Sequence, residues 1–205
     1  MLRQLRQRGD TLIEVLFAFT VFSLVVVGAI SIMNQGTVAA QRALETTLVR
    51  SEIDAQATTL RFLHDAYVAK FQPGASYDPN TPAGVWLTMT SAATRASASS
   101  FGGVTTCPDA PTNSFILNTV KAQYVGTSSR LVKATSIATV SYDTANNLTD
   151  SEGIWIEAIR SATVLDANKK NAGYIDFHIM ACWDSPGHGA PMTLGTIVRL
   201  YEPRS

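Results

Sequence analysis

Two carboxylates stand where a hydrophobic segment begins. Asp10 and Glu14 lie four residues apart, behind Arg3, Arg6 and Arg8 and just ahead of residues 15–33, which carry no charge. A charged side chain in the centre of a bilayer costs about 2.5–3.5 kcal/mol on insertion scales, so an acid near that segment calls for a partner. The simplest alternative leaves Glu14 in the headgroup zone, favoured by its position in the first helical turn. A second group, His178, Cys182 and His188, raises the question of a metal. On a strand, His178 and Cys182 would share a face but sit about 13 Å apart, too far for one ion. His188 falls in a Pro-Gly turn, so no metal site and no cofactor are expected. Neither a Gly-x-Ser-x-Gly elbow, a P-loop nor a dinucleotide fingerprint is present, and the serines and aspartates lack a candidate base. The chain reads as a non-enzyme.

The distribution of residue types indicates which elements hold these groups. All eight prolines lie at or after Pro73, and the tryptophans, Trp86, Trp155 and Trp183, come later still. Before Gly74 the glycines are Gly9, Gly28 and Gly36. Proline breaks helices and glycine weakens them, so residues up to 72 are composed to stay helical, with a stop at Phe71-Gln72-Pro73-Gly74. Nineteen uncharged residues at about 1.5 Å each span about 29 Å, the thickness of a bilayer core. Arginines before that run and none just after it put the N-terminus in the cytoplasm. Residues 41–70 are amphipathic: Val49, Ile53, Leu60, Leu63 and Tyr67 recur at helical spacing among Glu45, Arg50, Glu52, Asp54, Arg61 and Asp65. With 16 basic and 16 acidic residues in 205, the chain is neutral and offers no extended nucleic-acid surface.

Arg8-Gly9 followed by Thr11, Leu12, Ile13 and Glu14 resembles the type IV prepilin leader, a short basic peptide ending in Gly before a mature chain with Glu at its fifth position. The resemblance covers about the first 35 residues. It implies that a membrane peptidase cuts after Gly9 and that the amine of Asp10 is methylated. It also implies an α+β pilin-like fold, with a long N-terminal helix packed on a C-terminal antiparallel sheet. The corresponding divisions are 1–9, a leader that is removed; 10–40, the membrane and filament-core half of the helix; 41–72, its amphipathic half; and 73–205, the exported domain. Cleavage would leave 13 basic against 16 acidic residues. The new ammonium at Asp10 then supplies a partner: Glu14 of one subunit pairs with the N-terminus of a neighbour, which offsets the cost of burying either and sets the register of the stack. Two features depart from the family pattern. The first mature residue is Asp10 where Phe is usual, which bears on methylation and points to a minor subunit, and the membrane half has no proline, leaving Gly28 and Gly36 as its soft points.

A rival parse takes Val38-Ala39-Ala40 as a signal-peptidase site and starts the mature chain at Gln41. It gives Asp10 and Glu14 no role, and its apolar run exceeds the usual 7–15 residues. Beyond Pro73 the chain reads as loop-rich to residue 114, with strands expected at 115–120, 137–142, 154–159, 174–183 and 193–201 and a short one at 85–89. Alternation at Ile154-Trp155-Ile156-Glu157-Ala158 suits a sheet covered on one face. Trp155 and Trp183 are expected in the core, and Trp86 in the core or as an exposed contact. Cys107 and Cys182, outside the cytoplasm, form one disulfide or remain two unpaired thiols.

The function this implies is a structural subunit of a type IV pilus or related filament, serving adhesion, motility, DNA uptake or secretion. Expected partners are other pilin subunits, the prepilin peptidase, a platform protein and a motor ATPase. The subunit would lie in the membrane before assembly and in the extracellular filament after it. The alternative is a membrane-anchored exported protein or enzyme that never assembles.

Overall fold

The computed structural model describes residues 10–203 except 93, 96, 102–104, 127, 128, 162–172 and 186–188; of residues 10, 94 and 95 it describes the backbone alone. The chain forms two compact units, divided between Ala43 and Leu44. Helix α1 spans Asp10–Lys70, so the uncharged run and the amphipathic run are both helical, and the helix ends two residues short of the expected 72. Val68 O accepts from Phe71 N–H, and Gly74, with φ of 76°, supplies the left-handed turn behind it.

In the first unit α1 is apolar around its whole circumference and has no core to enter. Phe19 is 66% exposed, Leu24 73% and Met33 71%. Three of its polar side chains bond their own helix: Thr20 Oγ1 donates to Phe17 O, Ser23 Oγ to Phe19 O and Thr37 Oγ1 to Asn34 O, at 2.8–2.9 Å. Hydroxyls satisfied this way cost little in hydrocarbon.

The second unit has one core. Along α1 the side chains of Val49, Ile53, Ala57, Leu60 and Leu63 are buried, with Tyr67 packed against the edge of the cluster. They meet a four-stranded sheet ordered β1 (Thr94–Arg95), β7 (Ile154–Arg160), β8 (Tyr174–Trp183), β9 (Met192–Tyr201). β7, β8 and β9 run antiparallel in continuous register, while β1 pairs with β7 in parallel. A two-stranded sheet holds β2 (Ile116–Asn118) and β3 (Gln123–Val125). A mixed three-stranded sheet holds β4 (Leu131–Val132), β6 (Leu148–Glu152) and β5 (Thr139–Tyr142). The α+β class and the dominant antiparallel sheet hold. The sheet is not single, because short strands flanked by turns at Asn113, Ala122 and Asn146, all at positive φ, fold into small side sheets.

Residues 82–92 correct the loop-rich reading. Pro82–Ala92 form helix α2, where a weak strand at 85–89 was expected. A five-residue apolar run does not distinguish strand from helix by itself; its N-terminal chemistry does. Pro82 takes the first helical position, and Thr81 Oγ1 accepts from Gly84 N–H at 3.3 Å. Gly84 lies so close to the Asp78 carbonyl that a Cβ would stand 2.0 Å from its oxygen. Trp86, expected in the core or as an exposed contact, is buried between His64, Tyr67 and Phe177.

Candidate assembly site

Glu14 sits near the start of α1 with its side chain exposed, among the exposed apolar residues Leu12, Ile13, Val15, Leu16 and Phe17. Between it and Arg42 no other charged residue occurs. The ion pairs His64–Asp65, Lys133–Asp109, Arg160–Glu202 and Arg199–Asp176 lie in the second unit. The helix carries Glu14 on its N-terminal turns, where the dipole favours an anion. Gly9 lies outside the described residues, and of Asp10 the backbone alone is described, as the first helical residue. The helix from Thr11 on is long and apolar enough to cross a membrane, and none of its most apolar window is buried within the chain. A helix apolar on all sides belongs in lipid or in the core of an assembly.

The other candidate residues separate. Cys107 and Cys182 form a disulfide, which joins the loop before β2 to β8. His178 lies on β8 opposite Glu157 of β7, and His188 lies outside the described residues. Among the described residues no three His, Cys, Asp or Glu side chains gather as metal ligands.

The second unit also holds polar residues that periodicity does not reveal. Gln56 is fully buried on α1 and clamps one residue of β2: its Nε2 donates to Leu117 O at 2.9 Å and its Oε1 accepts from Leu117 N–H at 3.0 Å. Such a pair fixes the helix against one strand, since a one-residue slip would leave both groups buried and unpaired. Glu45 Oε2 accepts from Trp183 Nε1 at 3.1 Å and ties the beginning of this helical half to the end of β8.

Glu157 is the larger surprise. Alternation puts it on the uncovered face of β7, yet it is fully buried. The segment around Ser99–Phe101 covers that face: Phe101 packs edge-on against Trp155, and Ser99 N–H donates to Glu157 Oε2 at 2.9 Å, while Trp155 Nε1 donates to Oε1 at the same distance. With both oxygens accepting, the carboxylate acts as an anchor for the covering loop. The only advance sign was Phe101 amid a run of small residues.

Against known protein families, residues 4–30 match the model of the prokaryotic N-terminal methylation motif. The match contains Gly9, Asp10 and Glu14 and most of the uncharged run, and it leaves the second unit outside. No curated protein and no solved structure matches the chain.

Proposed function

We propose that this chain, type IV prepilin-like in its N-terminal segment, is a structural subunit of a pilus or related pilin-like filament. It enters the membrane as a precursor, is cut after Gly9 and is then drawn into a helical stack through the apolar half of α1. The observation that carries this reading is the coincidence of Glu14 with the methylation motif, on a helix whose described apolar side chains lie exposed around its circumference.

Glu14 is the registry element. Cleavage releases an ammonium at Asp10, and a carboxylate four residues along a helix lies about 6 Å up the axis from it. Two neighbours offset along the filament axis can bring one ammonium to the other's carboxylate. Each ion alone in an apolar stack is costly; together they are tolerable at one offset and unfavourable at others. The pair therefore selects register, and aliphatic contact supplies the bulk of the attraction. Asp10 adds a second carboxylate beside the amine. That weakens its attraction to Glu14 and favours a minor place in the assembly over the abundant one. Sister pilins, the prepilin peptidase, a platform protein and a motor ATPase are the partners this role requires. The second unit would be the exposed part of the filament and would carry no catalysis.

N-terminal sequencing of protein recovered from cell envelopes tests the reading. A start at Asp10, with or without a methyl group, is expected. A start at Gln41, or an intact Met1, would instead mark a signal peptide or a plain anchor and remove the filament reading.

A further inference from the structure

The sheet β1-β7-β8-β9 ends differently on its two sides. On one, β1 pairs with Ala158 and Ile159 of β7, and Phe115 bridges Ile156 through reciprocal backbone hydrogen bonds of 3.0 and 2.8 Å. On the other, β9 runs ten residues in unbroken register with β8 and has no other strand partner among the described residues.

The ladder determines which groups of β9 face outward. Cys182 N–H donates to Gly153 O, and Tyr174 O accepts from Ser161 N–H, so both residues turn their backbone groups to the β7 side. In an antiparallel pair, a residue opposite one that turns away also turns away. Thr193 and Tyr201, the register partners, therefore face outward, and by the period of two so do Gly195, Ile197 and Arg199. The carbonyl of Tyr201 is engaged by His64 Nε2 at 2.9 Å. Thr193, Gly195, Ile197 and Arg199 direct N–H and C=O to the open side, and all four residues are exposed.

Natural edge strands are guarded by lysine, proline, a bulge or an inward charge. β9 has none of these. Pro191 and Pro203 fall outside it, and its one charge, Arg199, is neutralised by Asp176 through two hydrogen bonds of 2.7 Å. Beside the edge lies an open cleft of about 470 Å³, lined by His178 and Met180 of β8 and Thr193, Gly195 and Ile197 of β9, with Phe101 among its walls. Phe101 is held in place by Trp155, and its loop by Glu157. A Cβ at Gly195 would press on Ile179 O at 3.1 Å, so the strand is kept bare beside the cleft.

We propose that the β9 edge and the cleft beside it dock an extended segment of another polypeptide, which adds as a further strand and seats an apolar side chain against Phe101, Met180 and Ile197. The outward N–H and C=O groups at strand spacing are matched by a polypeptide main chain, and the apolar cleft beside a neutralised arginine calls for an uncharged segment. A second copy joined through the same edge would form a two-fold contact, which a filament of parallel subunits does not repeat. Only this choice of a different polypeptide rests on the filament reading.

The test uses the full chain in detergent micelles and random short peptides displayed for selection. Selected peptides should be free of proline and charge at their centre and carry an apolar residue. On binding, they should slow hydrogen exchange at the amides of Thr193, Gly195, Ile197 and Arg199 by at least about tenfold. Methylating alternate backbone nitrogens of the selected peptide, with side chains intact, should weaken binding by about tenfold or more. Ile197→Pro, which removes an outward N–H and leaves the β8 ladder intact, should do the same. The proposal is overturned if no peptide is selected, if N-methylation has no effect, or if protection falls elsewhere. It is equally overturned if those amides become protected in the chain alone as its concentration rises, since the occupant is then a second copy. None of these readouts depends on N-terminal processing, so the filament reading stands or falls separately.

Discussion

The stretch of α1 before Leu44 and the stretch after it are both helical and both rich in aliphatic residues, yet they use those residues in opposite ways. Before Leu44, phenylalanines and leucines surround the axis and lie exposed, and three of the hydroxyls among them are folded back onto the helix's own carbonyls. After it, Val49, Ile53, Leu60 and Leu63 keep to one face and are buried, and polar side chains such as Gln56 and Glu45 reach strands distant in sequence. The first stretch leaves its apolar surface unspent within the chain; the second spends it on a core. Hydrophobicity alone therefore does not assign a role. The angular spread of the apolar residues does, because a one-sided stripe can be satisfied by one sheet and a full circumference needs lipid or several neighbours.

Paired substitutions should break the comparison if it is wrong. Phe177→Ala removes a fully buried ring that touches Trp86 and Phe115. It should cost about 3–5 kcal/mol in chemical denaturation of the full chain followed by near-ultraviolet dichroism. Phe19→Ala, on the exposed half, should leave that transition unchanged. Equal losses would mean that the first stretch packs into the folded domain after all.

The disulfide gives the next largest effect. Cys107 and Cys182 are 75 residues apart, and replacing both by Ser should cost about 2–4 kcal/mol in the same assay. Helix α1 ahead of Leu44 should keep its helical dichroism, since the bond lies wholly in the second unit.

The smallest effect concerns acid. Hydrogen bonds from Arg199 hold the Asp176 carboxyl below the usual carboxylate range. The native state thus binds that proton less readily than the unfolded chain does. The stabilisation is complete above the unfolded value, about pH 4, and is lost as pH falls through the lower native value. Asp176→Asn should remove this part of the acid-side decline, as read by melting temperature against pH, by lowering the neutral-pH melting temperature to the same small extent, small because the pair is partly exposed.

Much of this was legible in the amino-acid sequence, and the misses have physical reasons. The helix up to Lys70 followed from the absence of proline, and β7 and β8 from alternation bounded by turn residues, with β9 expected as a strand beyond them. α2 was obscured because Val85-Trp86-Leu87-Thr88-Met89 suits either period; Thr81 and Pro82 held the deciding signal. Glu157 was misplaced because alternation describes one strand and says nothing of a loop that later covers its outer face. The role of Gln56 depends on a strand 61 residues away, a distance no local pattern encodes. Glu14, by contrast, stood out because a charge in an apolar run is anomalous without any knowledge of the fold.

In the proposed filament, Glu14 sets register between subunits and contributes nothing to the folding of one. Expressing Glu14→Gln beside the unaltered chain and quantifying both in sheared filaments by mass spectrometry tests it directly. Normal processing at Gly9, an unchanged denaturation midpoint and a filament share lowered at least about tenfold are expected. Equal shares of the two forms would contradict it.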